Sequence, residues 1–245
     1  MKISSSIVFA IVIAVTFAEV PSFIKVCGRR DPNLDKCVLN SVNSLREKLR
    51  VGIPEMHVPA LEPLVIDNGL PLSSSKDLMA YARNVKLYDI YSFHLKNLHI
   101  DLEKKRIDVH IALDSVRLTG DYNVTAKIVV PVSGRGPIDI RTKAIDAKVV
   151  VLFKFINTKK GVRVFFSEMT CKLSIDGYTS KFLHTEQSDD NTFDEVINSV
   201  INDQQKEILA SVTPQLEKII SERVLGIANQ IGSHFTYDEL LPDRE

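Results

Sequence analysis

Histidine, cysteine and glycine are the residue types whose spacing in this chain could indicate catalysis or metal binding. The six histidines are scattered, at positions 57, 94, 99, 110, 184 and 234, and no set of them has the spacing of metal ligands on one face. His94 and His99 are five residues apart in a strand-like pattern, which would place them on opposite faces of a strand. We therefore expect surface histidines and no metal site.

The glycine-containing motifs of nucleophilic catalysis and phosphate binding do not occur in the sequence. It contains no Gly-x-Ser-x-Gly turn, no phosphate-binding loop and no Gly-x-Gly-x-x-Gly. Gly134 and Gly136 are close together, but Pro137 follows them in place of a helix, which indicates a bend. The sequence thus predicts no catalytic residues, no cofactor and no enzyme.

The three cysteines have structural interpretations. Cys27 and Cys37 are close in sequence at the start of a predicted helix, and we predict a disulfide between them. Closing so short a loop would stabilise the fold by roughly 2.5–3 kcal/mol. Cys171 alternates with apolar residues on the inward phase of a predicted strand, which favours a buried free thiol.

The N-terminus has the pattern of a secretory signal. A short basic start precedes the apolar run from Ile7 to Phe17, and Thr16 and Ala18 supply small residues at the −3 and −1 positions for cleavage. The alternative, a transmembrane helix, would need about 20 apolar residues. We predict a signal peptide at residues 1–18 and one secreted, extracellular domain at 19–245, a monomer without stable membrane insertion.

Composition and charge limit the remaining partners. The chain is 44% hydrophobic and 25% charged, as in globular proteins, and its 31 basic residues balance its 31 acidic ones. This balance gives no support to a nucleic-acid partner. Asn123-Val124-Thr125 is an N-glycosylation sequence, and Asn123 lies on the polar phase of its strand. We predict a glycan there, the alternative being an unmodified surface asparagine.

The C-terminal quarter predicts a long amphipathic helix. Apolar residues recur every three or four positions from about Thr192 to Ile231, and Pro214 is expected to kink this helix without ending it. Roughly 40 residues would span about 60 Å. The opposite face carries polar residues that include Asn198 and Glu217, and its acidic residues are expected to solubilise the surface. A partner of similar length is therefore required.

The middle of the chain supplies that partner. Apolar residues alternate with polar ones in rows at 107–113, 122–130, 145–155 and 162–166, and residues 157–161 have the composition of a hairpin turn. This pattern predicts an antiparallel meander with one apolar face, curled around the helix, in an α+β fold. An N-terminal helix capped by Asp31 or Asn33 should end at Gly52, before an extended proline-rich segment at 53–64. The interior could be solid core or could leave a tunnel, and close packing favours core.

Three stretches resemble the insect takeout / juvenile hormone-binding protein family. They are the cysteine helix from NLDKC (33–37) with GIPE (52–55) and PALEPL (59–64), then GDY (120–122) with VPVSGRG (130–136), and the proline-containing terminal helix with DELLP (238–242). The resemblance implies a long helix wrapped by a strongly curved sheet, as in tubular lipid-binding domains, with a disulfide-tethered N-terminal helix. It also implies a hydrophobic tunnel and carriage of a lipid, terpenoid or juvenile hormone-like ligand. Cys27–Cys37 matches the family's N-terminal disulfide, whereas Cys171 has no partner for the second disulfide of the hormone-binding branch, which favours the takeout branch.

The resemblance makes a secreted carrier the leading hypothesis, with roles in clock-linked, feeding or chemosensory physiology and with an unidentified receptor. We expect the ligand to lie between the helix and the inward rows of the sheet, with Tyr122 or Tyr88 supplying a polar contact. The predicted tunnel residues are Tyr88, Ile111, Tyr122, Val124, Val149, Val151, Phe153, Met169, Val200, Val212 and Leu216. The alternative is a secreted signalling or interaction module with a solid core and no ligand.

Overall fold

A computed structural model describes residues 20–66, 69–74, 78–127, 131–183, 198–199 and 201–245. The predicted signal peptide at residues 1–18 lies outside the described residues, as does Val200.

The N-terminal segment forms two short helices, α1 (Leu34–Ser44) and α2 (Arg46–Val51), where the sequence predicted one. Gly52, with φ of 88°, ends α2 as expected. The following segment is not wholly extended, because Pro54–Met56 form a 3-10 helix. Proline is compatible with the first position of a helix, where no backbone N–H is needed. The predicted disulfide between Cys27 and Cys37 is present.

Among the residues that the structure describes, ten strands follow α2, and a 3-10 helix at Ile90–Ser92 separates the third from the fourth. The strands are β1 (Leu64–Ile66), β2 (Leu70–Ser74), β3 (Leu78–Tyr88), β4 (His94–Asp101), β5 (Arg106–Leu113), β6 (Arg117–Lys127), β7 (Pro131–Thr142), β8 (Ile145–Thr158), β9 (Gly161–Ile175) and β10 (Tyr178–Phe182). The predicted hairpin at 157–161 joins β8 to β9, with Lys159 and Lys160 in its turn.

The strands form two antiparallel sheets where a single meander was predicted. One sheet has the order β1-β3-β6-β7-β10, with β2 also paired to β3, and the other has the order β4-β5-β8-β9. The chain passes from one sheet to the other after β3, β5, β7 and β9. At one seam the crossings are hydrogen-bonded to each other, since Lys143 N–H donates to Gly177 O at 2.8 Å and Asp176 N–H donates to Ala144 O at 3.0 Å. Short connections here change sheet as often as they form hairpins.

The C-terminal helix α3 (Gln205–Gly232) has 28 residues and contains Pro214, which does not end it. Residues 198, 199 and 201–203 are also helical, and a turn at Gln204 separates them from α3, so the predicted helix of about 40 residues is interrupted. The apolar stripe of α3 contacts both sheets in succession. Val212 packs against the cluster around Tyr122, Leu216 against the cluster around Val85, and Ile220 against the cluster around Cys171.

The residues after α3 pack against the N-terminal segment and close one end of the cavity-forming fold. Phe235 is buried with Ile53, Met56 and Val58, against which Ile227 and Ile231 of α3 also pack. A last helix, α4 (Tyr237–Leu240), starts with a capping box between Thr236 and Glu239. The N-terminal segment is held beside it, because Arg29 N–H donates to Pro242 O at 2.9 Å.

Candidate ligand-binding cavity

A cavity of about 870 Å³ lies between α3 and the two sheets. This volume falls in the upper part of the range of about 300–1,000 Å³ that is usual for small-molecule sites. Both sheets and α3 contribute apolar side chains to its wall. Examples are Ile66, Ala80, Ala82, Leu118, Ile138 and Ile140 from the first sheet, Val109, Ala147, Cys171 and Leu173 from the second, and Ile208, Ile219, Ile220 and Ile227 from α3.

The few titratable groups on the wall are neutral, with one exception. Burial raises the pKa of the Cys171 thiol to about 11, and the structure shows this cysteine as a buried free thiol, as predicted. Burial also raises the pKa of Tyr178, whose hydroxyl donates to Ile201 O at 2.8 Å. Among the described residues that line the cavity, Arg223 alone carries a charge at neutral pH. The interior therefore suits an uncharged hydrocarbon and offers little to a polar molecule.

Most of the predicted tunnel residues lie on this wall. They are Ile111, Tyr122, Val124, Val149, Val151, Met169, Val212 and Leu216. Tyr122 and Val124 are buried while Asn123 between them is exposed, as the alternation predicted. Tyr88 and Phe153, by contrast, lie outside the cavity wall.

Tyr88 faces away from the cavity because β3 contains a bulge. The pairing of β3 with β6 shifts register between Arg83 and Lys86, with Asn84 at φ of 52°. Gly120 lies opposite, where a Cβ atom would come within 2.7 Å of the Arg83 carbonyl oxygen. Even-numbered residues face inward before the bulge and odd-numbered residues after it, so Tyr88 turns outward. Its ring centre lies 5.8 Å from the guanidinium carbon of Arg117.

Phe153 is buried but belongs to an aromatic cluster beyond the end of the cavity. Its ring centre lies 5.7 Å from that of Phe155 and 6.4 Å from that of Phe166. Phe155 in turn lies 4.6 Å from Tyr237 of α4. The inward row of β8 is longer than the cavity, so its last members pack against the closing segment instead of lining the wall.

Polar side chains preceding α3 and at its start bind the free edge of the first sheet. β10 is an edge strand, and its outward backbone groups would otherwise lack partners. The side-chain amide of Asn198 accepts from Phe182 N–H at 2.8 Å and donates to Phe182 O at 2.9 Å. Asn202 accepts from Ser180 N–H at 3.1 Å, and Gln205 accepts from Tyr178 N–H at 3.1 Å. Steps of one helical turn thus match steps of two residues along the strand.

Two further side chains of α3 bind the free edge of the second sheet, at β9. Glu217 accepts from Leu173 N–H at 2.9 Å, and Asn229 both accepts from Phe166 N–H and donates to Phe166 O, each at 2.8 Å. Burial alone would raise the pKa of Glu217, but the hydrogen bonds from Leu173 N–H and Lys172 outweigh it and hold the pKa below its usual value. Glu217, an acidic residue expected to solubilise the surface, instead lies against a strand edge, as does Asn198.

The five histidines that the structure describes lie outside the cavity wall. A bulge between Leu95 and Asn97 reverses the alternation of β4, so His94 and His99 are both exposed. The prediction that they lie on opposite faces was wrong. His99 Nδ1 lies 2.9 Å from Asp35 Oδ2 and links β4 to α1. In the part of the chain that the structure describes, no group of three or more His, Cys, Asp or Glu side chains could hold a metal ion.

Comparison with known proteins assigns the chain to a family. The sequence profile of the haemolymph juvenile hormone binding proteins matches residues 6–242. The chain belongs to this family. It is 22% identical to the circadian clock-controlled protein daywake of Drosophila melanogaster over 236 residues. The alignment covers 89% of this chain and 87% of daywake.

The fold of this family member is similar to a solved structure. Takeout 1 of Epiphyas postvittana superposes with a TM-score of 0.75 at 17% identity, over 89% of this chain and 99% of Takeout 1. The α+β fold with a long C-terminal helix is thereby confirmed. None of the helices in the described ranges has the length and apolar character to cross a membrane.

Proposed function

We propose that this family member is a secreted carrier that holds a small hydrophobic ligand, such as a lipid, a terpenoid or a juvenile hormone-like molecule, in its internal cavity. The observation that supports the proposal is the cavity of about 870 Å³ with an almost wholly apolar wall. Burial of apolar ligand surface stabilises a complex by about 25 cal/mol per Å². The proposed ligand site comprises the predicted residues that line this wall, together with the other residues of the first sheet that line it.

Binding without catalysis is the activity that such a wall can support. Catalysis would require convergent groups able to exchange protons or attack a bond, and the wall offers buried tyrosines and a thiol whose pKa is about 11. The rival hypothesis of an interaction module with a solid core would require the wall side chains to fill the interior. A cavity of this size is the opposite of what a solid core requires.

Analysis of the bound cargo and a probe assay together test the carrier proposal. Protein purified from secreting cells is extracted with organic solvent for mass spectrometry, and binding of a fluorescent lipid probe is measured in parallel. Ala147→Phe adds a ring to the wall and is expected to weaken probe binding. Lys148→Phe places the same ring on the exposed neighbouring position and is the matched control. A wild-type protein that carries no lipid and binds no probe would refute the proposal.

Secretion and glycosylation form part of the same proposal. We infer that residues 1–18 are a signal peptide, that residues 19–245 form the mature monomeric domain, and that Asn123 carries a glycan. The exposure of Asn123 supports modification at that site. Thr125→Ala is expected to lower the mass of the secreted protein by one glycan without unfolding it. An unchanged mass would show that Asn123 carries no glycan.

The name of the Drosophila relative supports a role in clock-linked physiology. Transcript levels followed through a light–dark cycle and then in constant darkness are expected to oscillate. Constant levels under both conditions would contradict this role.

A further inference from the structure

Arg223 occupies an unusual position on the apolar stripe of α3. It follows Ile219 and Ile220 by one helical turn and precedes Ile227 by another, and all four residues line the cavity. The apolar repeat passes from Ile220 through Val224 to Ile227, and Arg223 lies beside it on the same turn. A charged side chain thus lies among the aliphatic residues of the cavity wall.

This turn of α3 is where the cavity meets solvent. Arg223 is exposed, and its neighbour Val224 lines the cavity although it is 44% exposed. A Cβ atom added at Gly226 would meet no atom within 4 Å. Val65 of β1 is likewise 48% exposed and lines the cavity. Exposed apolar residues that belong to a cavity wall mark its opening, and Arg223 lies at that opening.

The guanidinium of Arg223 has no partner among the described residues. Glu217 of the same helix, by contrast, pairs with Lys172 at 2.9 Å. An unpaired arginine at the edge of an apolar cavity can keep its charge in water while its aliphatic stem covers apolar surface. Its planar donors match the two oxygens of a carboxylate.

We propose that Arg223 binds the carboxylate of an amphiphilic cargo, so that this protein preferentially carries a long-chain carboxylic acid with its hydrocarbon chain inside the cavity. The inference rests on the proposed carrier function and specifies its ligand class. The hydrocarbon supplies most of the binding free energy, and the ion pair at the mouth supplies orientation and selectivity. Because the charged head stays partly in water, the cost of burying an ion pair is avoided. A neutral ester of the same chain cannot form this pair.

Oleic acid and methyl oleate test the proposal, since they share a chain and differ in charge. Each displaces the uncharged fluorescent probe N-phenyl-1-naphthylamine from the wild type, Arg223→Gln, Arg223→Lys and Lys218→Gln. Lys218 is an exposed residue of the same helix outside the cavity wall and serves as the control. We expect oleate to bind the wild type about five-fold more tightly than the ester, as for a solvent-exposed ion pair.

The variants are expected to separate charge from packing. Arg223→Gln should abolish the preference for oleate by weakening oleate binding more than methyl oleate binding, whereas Arg223→Lys should retain part of the preference. Lys218→Gln should behave as the wild type, and added salt should reduce the preference because the pair is exposed.

Equal affinity of the wild type for acid and ester, or an equal effect of Arg223→Gln on both, would overturn the carboxylate site while leaving the carrier function supported. If neither compound displaces the probe and no lipid is bound, the carrier function itself fails, and this inference fails with it.

Discussion

Asn229 provides the sharpest test of how α3 is attached to the second sheet. Its side-chain amide makes two hydrogen bonds of 2.8 Å, one to the N–H and one to the carbonyl of Phe166 on the edge strand β9. Each such bond contributes about 0.5–1.5 kcal/mol net to stability, so we expect Asn229→Ala to lower the free energy of unfolding by about 2 kcal/mol. For a chain of this size, that loss corresponds to a fall of about 4–8 °C in Tm.

Urea unfolding of the disulfide-intact protein measures this loss, with Gln230→Ala as the matched control. Gln230 is the next residue of α3, and its side chain is exposed. The slope of free energy against urea should stay constant, so that the midpoint reports stability alone. Hydrogen exchange adds a local measurement, because the Phe166 amide should lose protection in Asn229→Ala and keep it in Gln230→Ala. Losses below about 0.5 kcal/mol in both variants, with Phe166 still protected, would refute the attachment.

Three further predictions concern the disulfide, the contact between His99 and Asp35, and the thiol of Cys171. Because Cys27 and Cys37 are separated by 10 positions, replacing both with alanine should cost about 2.7 kcal/mol of unfolding free energy on the chain-entropy estimate, and an unchanged urea midpoint would contradict this. The hydrogen bond to Asp35 and its charge raise the pKa of His99 above 6.5. The stabilisation from this contact should be complete below about pH 6.5 and lost as pH rises through the raised pKa of His99. Asp35→Asn removes the charge that raises this pKa, so it should lower the pKa of His99 in an NMR titration. Because burial raises the pKa of Cys171 to about 11, maleimide should modify it slowly at pH 8 in the folded protein and quickly in urea, and similar rates would show that the thiol is accessible.

The strands were predictable from the sequence because their alternation is local. Alternate residues such as Val149 and Val151 line the cavity, as their spacing predicts. The assignment of strands to two sheets was not predictable, because the crossings after β5 and β7 are as short as hairpin turns. Bulges caused the remaining errors, since the extra residue near Asn84 reverses the alternation and carries Tyr88 outward.

The polar residues of the C-terminal helix show why the site itself was harder to predict. Asn198 and Glu217 have the spacing of a solvated face, but strand edges lie against them, and Arg223 lines the cavity beside the apolar stripe. Periodicity distinguishes apolar from polar positions and does not indicate whether a polar side chain meets water, backbone or ligand. That distinction depends on the places where each sheet ends.

The attachment of the helix also explains how the interior can stay open. An amphipathic helix is usually held on a sheet by close packing of its apolar stripe. Here side-chain hydrogen bonds to β10 and β9 fix the helix at the free edges of both sheets, so the stripe between them need not fill the interior to keep the helix in place. The same bonds satisfy two exposed strand edges that would otherwise pair with other chains. A fold held at its edges in this way can tolerate a cavity of about 870 Å³ in its centre.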